Sequence, residues 1–535
     1  STQTVESNIL IIGFKFTNTY QEIEVYQNTT SSAYDAIFCF SPYAVIGAMP
    51  LAPALLKGIC DEAGLKTTTL DLNLEFQMAY KDKRFADEIT NFMMYGSELS
   101  DTAKNYYNDW LRNKAQELLD MNATWIGLSL LTYQSIKFST DLCYYIKLID
   151  PKQKIIVGGQ GACNWENTGK TYKHNLTYGD TILKTGLADA MVVNESETMI
   201  VDLIKNNKLG KHDLQRQLTE DELNDLAVPQ YADYKIQSYQ TLTDIYGVPS
   251  DSTTATITGS KGCVRKCTFC DVYSFEPIFK YKSGDKIADE IISIYEQHGI
   301  KDFFFSDSLI NGSMKSFRQM NEVLAKRLPK TIKYSGEYIA KPKHQTTKED
   351  YHMMSEAGCK RLQIGIESGS ESVRTHMRKK FTNDDIHDMA INLYDNNIEQ
   401  SWNIMIGYPT ETDKDFEDTL NLVTNYSYMK FPLLSINPTS TLVILPGTPL
   451  YDELKDELEI SWMDTKALSP GVHYQFWQTG INNENNLKIR LNRWKQLIKL
   501  CEQYGYITNK RSKAKTALAN KTLEHYNSLY DQPNS

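Results

Sequence analysis

The sequence predicts an α/β protein in which a doubly wound parallel sheet precedes a partial (β/α)6 barrel, with a helical region at the C-terminal end. Two observations predict this class. Short apolar runs alternate with segments of helical period, first through Val193 and again from Thr254 to Leu445, and that alternation is the mark of parallel sheets wrapped by helices. At 535 residues the chain also exceeds one ordinary hydrophobic core, so the two series belong to separate units. The boundaries that follow are 1–207 for the first unit, 208–249 for a polar linker, 250–451 for the barrel, and 452–535 for a C-terminal region that could cover a substrate.

In chain order, Asn8–Phe14 (NILIIGF) has the short apolar form of a buried parallel strand. Thr17–Ala33 is polar and predicts no element. Ala36–Phe40 predicts a strand, Leu51–Ala63 a helix stopped by Gly64, and Thr67–Leu72 another strand. Asn73–Asp120 is polar, aromatic and helical in period, as an inserted subdomain or lid would be. The rhythm then resumes: Thr124–Leu131 as strand, Ser135–Ile149 as helix, Lys154–Val157 as strand running into Gly158 and Gly159, and Ala190–Val193 as strand running into Asn194–Glu197. Lys208–Val248 is polar and reads as the linker.

The second series opens with the β-branched run at Thr254. Ile287, Ile291 and Ile294 recur at helical spacing before Gly299. Asp302–Phe305, Lys333–Ile339, Arg361–Ile366, Ser401–Ile406 and a stretch within Ser435–Leu445 supply five further strands, making six β/α units. Chemistry in such barrels sits at the C-terminal ends of the strands. The tail carries Trp462, His473, Phe476 and Trp477, an amphipathic run over Leu487–Tyr504, and a basic run at Lys510–Lys515 that reads as a solvated face.

The stretch Thr254–Ser274 breaks at Gly262 into three close cysteines, Cys263, Cys267 and Cys270. Three thiolates on one short loop suit an iron–sulfur cluster, because cysteine is its usual ligand and one loop can wrap several irons. A cubane has four irons, so one stays open. Structural zinc is the rival, but it usually takes four ligands and no second cysteine or histidine pair follows nearby. Apolar residues make up 41% and charged residues 23% of the chain, as in soluble globular proteins, and the net charge of −10 disfavours a large nucleic-acid surface. Nine cysteines, three of them candidate ligands, fit a reducing cytoplasm better than a disulfide scaffold. No apolar run is long enough to span a bilayer, so the NxT sequon at Asn28–Thr30 carries no weight.

The CxxxCxxC spacing, with aromatic Phe269 before the last cysteine, resembles the signature of radical S-adenosylmethionine (SAM) enzymes. The resemblance implies a [4Fe-4S] cluster on the three cysteines whose open iron chelates SAM. Reduction by a donor such as flavodoxin or ferredoxin then yields a 5′-deoxyadenosyl radical. It also implies that Asp307 meets the methionine amine of SAM, that Glu367 in GIESGSE reaches the ribose hydroxyls, and that Phe269 borders the cofactor. For each acid the plainer reading is a helix cap or an ion pair. Met377, Arg378 and Lys379 match the family's MxK pattern, with Lys379 read as a structural or solvated cation. Gly407–Thr412 (GYPTET) and Leu445–Tyr451 (LPGTPLY) resemble the same branch.

The first unit is similar to the Rossmann-like cobalamin-binding domain that precedes many radical SAM barrels. The matching pieces are Gly127–Thr132 (GLSLLT), Gly158–Gly161 (GGQG) and Asn194–Glu197 (NESE). They imply that Ser129, Thr132, Gly158, Gly159 and Glu195 line a nucleotide tail, where glycine lets backbone approach closely. The plainer reading is that the glycines turn the chain and Ser129 caps a helix. The DxHxxG motif is absent and no histidine precedes His174, so the implied cobalamin is base-off with no histidine ligand. A domain that has lost cobalamin is the alternative. Taken together, the resemblance implies a cytoplasmic, cobalamin-dependent radical SAM methyltransferase acting on an unactivated carbon of a small molecule or peptide. Other radical SAM chemistry, and a non-catalytic sensor, remain the rivals.

Overall fold

A computed structural model describes residues 32–44, 46–163, 177–214, 216–236, 239, 253–445, 447–460, 477–479 and 485–530. The expected strand Asn8–Phe14 lies outside them, as do Trp462, His473 and Phe476.

The first sheet is made of β1 (Tyr34–Phe40), β2 (Thr67–Asp71), β3 (Ala123–Ser129), β4 (Lys154–Gly158), β5 (Ala190–Val193) and β6 (Gly210–Asp213), in the order β2-β1-β3-β4-β5-β6. All five pairings are parallel. Strand order reverses between β1 and β3, and such a switch point opens a crevice at the strands' C-terminal ends. Both faces are buried. Ile37, Cys39, Ile126 and Leu128 pack against one layer, and Ala36, Phe38, Trp125 and Ile156 against the other, which is why these strands read as continuous apolar runs.

The polar stretch after β2 is three helices, Leu72–Tyr80, Ala86–Tyr95 and Asp101–Asp120. Leu72, expected to end the strand, starts the first of them, because the Asp71 carboxylate accepts from Leu74 N as an N-cap. Their aromatic side chains converge on Phe76, which meets Tyr80, Tyr107, Trp110 and Phe138 edge-on or tilted. The stretch read as linker is ordered where described. Gly210–Asp213 is the edge strand β6, and Tyr231 and Tyr234 are buried.

The second sheet runs β14-β13-β12-β11-β10-β7, in strict chain order. Its strands are β7 (Thr254–Ile257), β10 (Asp302–Phe305), β11 (Lys333–Tyr338), β12 (Cys359–Glu367), β13 (Glu399–Ile406) and β14 (Leu434–Thr441). All are parallel, as six β/α units require. Between β7 and β10 lies a short antiparallel pair, β8 (Ser260–Lys261) with β9 (Lys280–Tyr281). Side chains alternate along the strands. Tyr334, Leu362, Ile364, Trp402 and Ile404 are buried against the surrounding helices, while the opposite parity is half-buried and largely polar.

Both edges of this sheet are covered. At β14 the helix Leu487–Gln503 lies alongside, with Trp494 Nε1 donating to Pro438 O at 3.1 Å. At β7 the edge is hydrogen-bonded by residues from outside the barrel: Met49 N donates to Thr254 O (2.8 Å), Thr256 N to Met49 O (3.3 Å), and the Tyr231 hydroxyl to Thr256 O. Tyr234 also donates to Pro50 O at 3.2 Å, and Asp233 accepts from Thr69 N at 3.0 Å. The segment around Tyr231 therefore ties the first sheet to the barrel. Among the described residues no helix is long and apolar enough to cross a membrane.

Candidate active site

The cysteine loop is an excursion closed at its root by the β8–β9 pair. Gly262 starts it at φ 74°, donating its N–H to Glu276 Oε2 at 2.7 Å, and a Cβ there would lie 2.7 Å from Ile278 O. Glycine is thus required by both conformation and space. Asp307, at the end of β10, is buried and braces the same root. Its carboxylate accepts from Gly259 N (2.8 Å) and Ser260 Oγ (2.6 Å). Burial pushes its pKa up to about 6 against those hydrogen bonds. The residue that the sequence suggested for a cofactor amine is committed to the turn before the cysteines.

Cys267 is buried, and Cys263 and Cys270 are half-buried. Burial raises the thiols of Cys267 and Cys270, the latter to about 11, while the Lys379 ammonium opposes the shift at Cys267. Among the described residues no three His, Cys, Asp or Glu side chains stand close enough to share one ion. The charges of the three cysteines nonetheless act on one another.

Thr268, between the second and third cysteines, fixes the loop to three of the segments singled out in the sequence. Its N–H donates to Met377 O (3.2 Å), its hydroxyl meets Tyr408 Oη (2.8 Å), and its carbonyl accepts from Leu450 N (2.8 Å). The MxK, GYPTET and LPGTPLY segments are therefore the walls on which the loop is mounted. Phe269 packs with them, beside Val373, Met377, Tyr408 and Leu450.

Glu367 ends β12 in a left-handed conformation, φ 71°, next to a register shift in the pairing with β13. A non-glycine residue there is strained, and such strain collects at functional sites. Its Oε1 lies 2.9 Å from Lys379 Nζ, which also donates to Gly365 O at 3.0 Å and sits 5.7 Å from the Phe269 ring centroid. Lys379, read from the sequence as structural or solvated, is buried. Burial alone would lower its pKa, but Glu367 and Cys267 outweigh it and hold the proton. A Cβ on Gly365 would fall 2.4 Å from Glu367 Oε1, so glycine makes room for the pair.

The first sheet ends differently. Gly159 has φ 90°, and a Cβ there would be 2.4 Å from Leu130 O; at Gly161 one would be 2.5 Å from Thr132 O. These glycines let the turns after β3 and β4 cross in contact, with Leu130 N donating to Gly158 O and Gly161 N to Leu130 O, both at 2.9 Å. Ser129 O accepts from Ser41 N at 3.0 Å, and Thr132 Oγ1 accepts from Gln134 N at 3.3 Å just before the helix Ser135–Ile149. Ser129, Thr132, Gly158 and Gly159 thus gather at one strand-end surface.

Glu195 follows β5 on the same side, but its carboxylate is spent. It accepts from Leu218 N (3.2 Å) and pairs with Lys261, which reaches Glu197 Oε1 at 2.8 Å. Lys261 stands two residues before Cys263. Burial opposes its charge, and Glu197 and Glu195 raise its pKa regardless. One half-buried ammonium therefore joins the end of the first sheet to the root of the cysteine loop. Lys261 and Thr268 were not picked out by the sequence reading.

A family model described as the Radical SAM superfamily matches residues 257–423. The barrel is a radical SAM domain. Over 79% of this chain and 78% of the other, the structure resembles that of the radical S-adenosylmethionine methyltransferase TsrM from Kitasatospora setae, with cobalamin and a [4Fe-4S] cluster bound (TM-score 0.54, 12% identity). It also resembles the cobalamin-dependent S-adenosylmethionine radical enzyme OxsB with aqua-cobalamin bound (TM-score 0.54, 15% identity, 92% of this chain and 71% of that one). At these identities the likeness is one of fold, and it includes a sheet outside the radical SAM domain. Curated relatives include an anaerobic magnesium-protoporphyrin IX monomethyl ester cyclase of Cereibacter sphaeroides, 24% identical over 38% of this chain. A threonylcarbamoyladenosine tRNA methylthiotransferase of Thermotoga maritima is 23% identical over 55% of it. The matches span 32% of the cyclase and 68% of the methylthiotransferase.

Proposed function

We propose that this protein is a cobalamin-dependent radical SAM methyltransferase acting on an unactivated carbon of a small molecule or peptide. The observation that carries the reading is the mounting of the cysteine loop. Thr268 fastens it to the barrel's strand ends, and Lys261 fastens it to the end of the first sheet. Cys263, Cys267 and Cys270 would hold three irons of a [4Fe-4S] cluster, leaving the fourth for SAM. Glu367, held by Lys379, presents a carboxylate at the strand end where ribose hydroxyls would be met. The glycine turns at Gly159 and Gly161 present backbone where a nucleotide tail would lie. With no histidine before His174, residues 1–173 would supply no histidine to cobalt. When bound, these groups supply one-electron cleavage of SAM and transfer of a methyl group. The chain's part is to orient them and exclude water. A protein reductant such as flavodoxin or ferredoxin would supply the electron.

A second reading, radical SAM chemistry without methyl transfer, is favoured by the relationship to the cyclase. The test is anaerobic reconstitution with iron, sulfide and hydroxocobalamin, followed by measurement of bound iron and cobalt and of SAM-derived products. Cobalt retained with a base-off spectrum, and S-adenosylhomocysteine formed along with 5′-deoxyadenosine, are the expected results. A cluster without cobalt would remove methyl transfer through cobalamin and leave the second reading.

A further inference from the structure

Charge is unevenly distributed along this chain. Leu487–Tyr530 contains ten Lys and Arg but two Asp and Glu, so it carries +8 in a protein whose net charge is −10, and the remainder carries −18. These residues form two packed helices on the β14 flank of the barrel, Leu487–Gln503 and Asn509–Tyr530. Leu491, Leu497, Cys501 and Ala519 face the core. Glu502 is taken by Asn509 Nδ2 and Ser512 Oγ, both at 2.6 Å.

Two of the ten cations are spent inside. Arg490 donates to Trp477 O (2.8 Å), and Arg493 pairs with Glu411 (3.0 Å) and Asp413 (2.7 Å). Lys515 is half-buried and donates to Thr439 O at 3.5 Å. The others lie on the outer faces. On the first helix they are Lys488, Lys495 and Lys499; on the second, Lys510, Arg511, Lys513 and Lys521. The basic run read from the sequence as a solvated face is one part of this surface. Among the described residues none of these outer cations has an ion-pair partner. Elsewhere the chain pairs helical cations with acids one turn away, as at Lys57–Asp61, Lys137–Asp141 and Lys414–Asp418. Lys495 with Lys499, and Lys510 with Lys513, put like charges at one-turn spacing instead, which opposes the helix. Burial and Arg511 push the Lys515 pKa down. A face that repels itself is relieved by a polyanion.

The neighbouring side chains select the kind. Asn492, Gln496, Gln503 and Asn520 stand exposed among the cations, and such amides donate to phosphate oxygens. Among the described residues of the two helices, Leu518 is the one large apolar side chain exposed. A protein interface is built on an apolar, aromatic centre depleted in Lys, and a membrane-surface helix on an apolar face. No exposed aromatic is there to stack on unpaired bases. Lys488 to Lys499, and Lys510 to Lys521, each run about 16 Å along a helix, a length in which one strand of a duplex presents about five phosphates. The face starts at the active-site wall: Asn485, just before the first helix, donates to Tyr408 O at 2.7 Å, and Tyr408 holds Thr268.

We propose that the outer faces of these two helices bind the phosphate backbone of a nucleic-acid duplex. Cofactors play no part in it, because the charge pattern is the same whether or not a cluster assembles.

The test is fluorescence anisotropy of labelled RNA and DNA duplexes with the full chain across a range of salt. Labelled polyglutamate is run in the same assay, and phosphatidylserine vesicles by co-sedimentation. One variant carries Lys488→Gln, Lys495→Gln and Lys499→Gln; a second carries Lys510→Gln, Arg511→Gln and Lys513→Gln. A third, with Arg112→Gln, Arg327→Gln and Lys330→Gln, removes the same charge from exposed, acid-paired sites elsewhere. Thermal unfolding checks that all three are folded. Wild type is expected to bind a duplex at physiological salt. Each of the first two variants should lose about tenfold or more, with the slope of log K against log salt shallower by about two to three, while the third stays within about twofold of wild type. Tighter binding of RNA or of DNA names the partner, and equal binding assigns a face that reads phosphate alone. No duplex bound by wild type, a loss as large in the third variant, or polyglutamate or vesicles bound as tightly as either duplex would each overturn the proposal.

Discussion

Both sheets end their parallel strands in closely packed turns, yet they equip those ends in opposite ways. The barrel ends carry charge: Glu367 strained against Lys379, Asp307 drawn into the loop root, and three thiols. The first sheet's ends carry backbone, with Gly159 and Gly161 letting one turn cross another and with Glu195 already engaged by Lys261. The difference matches the two tasks proposed for them. A redox centre and a small charged cosubstrate need specific side chains, whereas a large cofactor tail is gripped by shape and main-chain groups.

That contrast can be broken. Replacing Cys263, Cys267 or Cys270 by alanine should abolish 5′-deoxyadenosine formation and strip iron while leaving cobalt retention intact. Iron and cobalt assays on the same sample check both halves. Lys379→Met leaves Glu367 as a half-desolvated charge without a partner, and about 3 kcal/mol or more of stability should be lost, measured by denaturant unfolding. The double variant with Glu367→Gln should recover part of it. Lys261→Gln leaves Glu195 and Glu197 side by side without their cation and should cost about 2 kcal/mol or more. A loss that Lys261→Arg fails to moderate would argue against the charge as the cause.

On the backbone side, Gly159→Ala puts a Cβ against Leu130 O at a positive φ and should cost about 1–3 kcal/mol. Iron should stay and cobalt should go, the reverse of the cysteine variants. The smallest effect is a slope. Asp307 has a folded-state pKa of about 6, above its unfolded value near 4. Its contribution is therefore fully present below about pH 4 and lost as pH rises through about 6. Stability should fall by about 1 kcal/mol per pH unit at the steepest point, and Asp307→Asn should flatten that stretch of the curve.

The parts legible in the sequence are those whose signal is local. The cysteine spacing, the β-branched run of β7, the alternating apolar residues of β12 and β13, and the glycines at the strand ends are each contained within a few residues. Ser135–Ile149 and Ala190–Val193 form as read because period and turn residues agreed. What escaped depends on distant partners. The pairing of Glu195 with Lys261 could not be read because nothing near Glu195 announces that residue, which lies in another sheet's loop. Lys379 reads from the sequence as structural or solvated because its surroundings come from Phe269, Glu367 and the carbonyl of Gly365, none of them adjacent in sequence. The strand β6 was hidden because Gly-Lys-His-Asp at a sheet edge needs no apolar pattern.

The hydrogen bonds that Met49 and Tyr231 make to β7 bear on how this architecture can be cut and recombined. A barrel excised near Ser250 would leave behind the residues that occupy its first strand's outer edge, and a bare parallel edge invites pairing with other chains. Transplanting the barrel onto another first domain therefore requires carrying the Met49 and Tyr231 segments with it, although both lie upstream of every motif that marks the barrel.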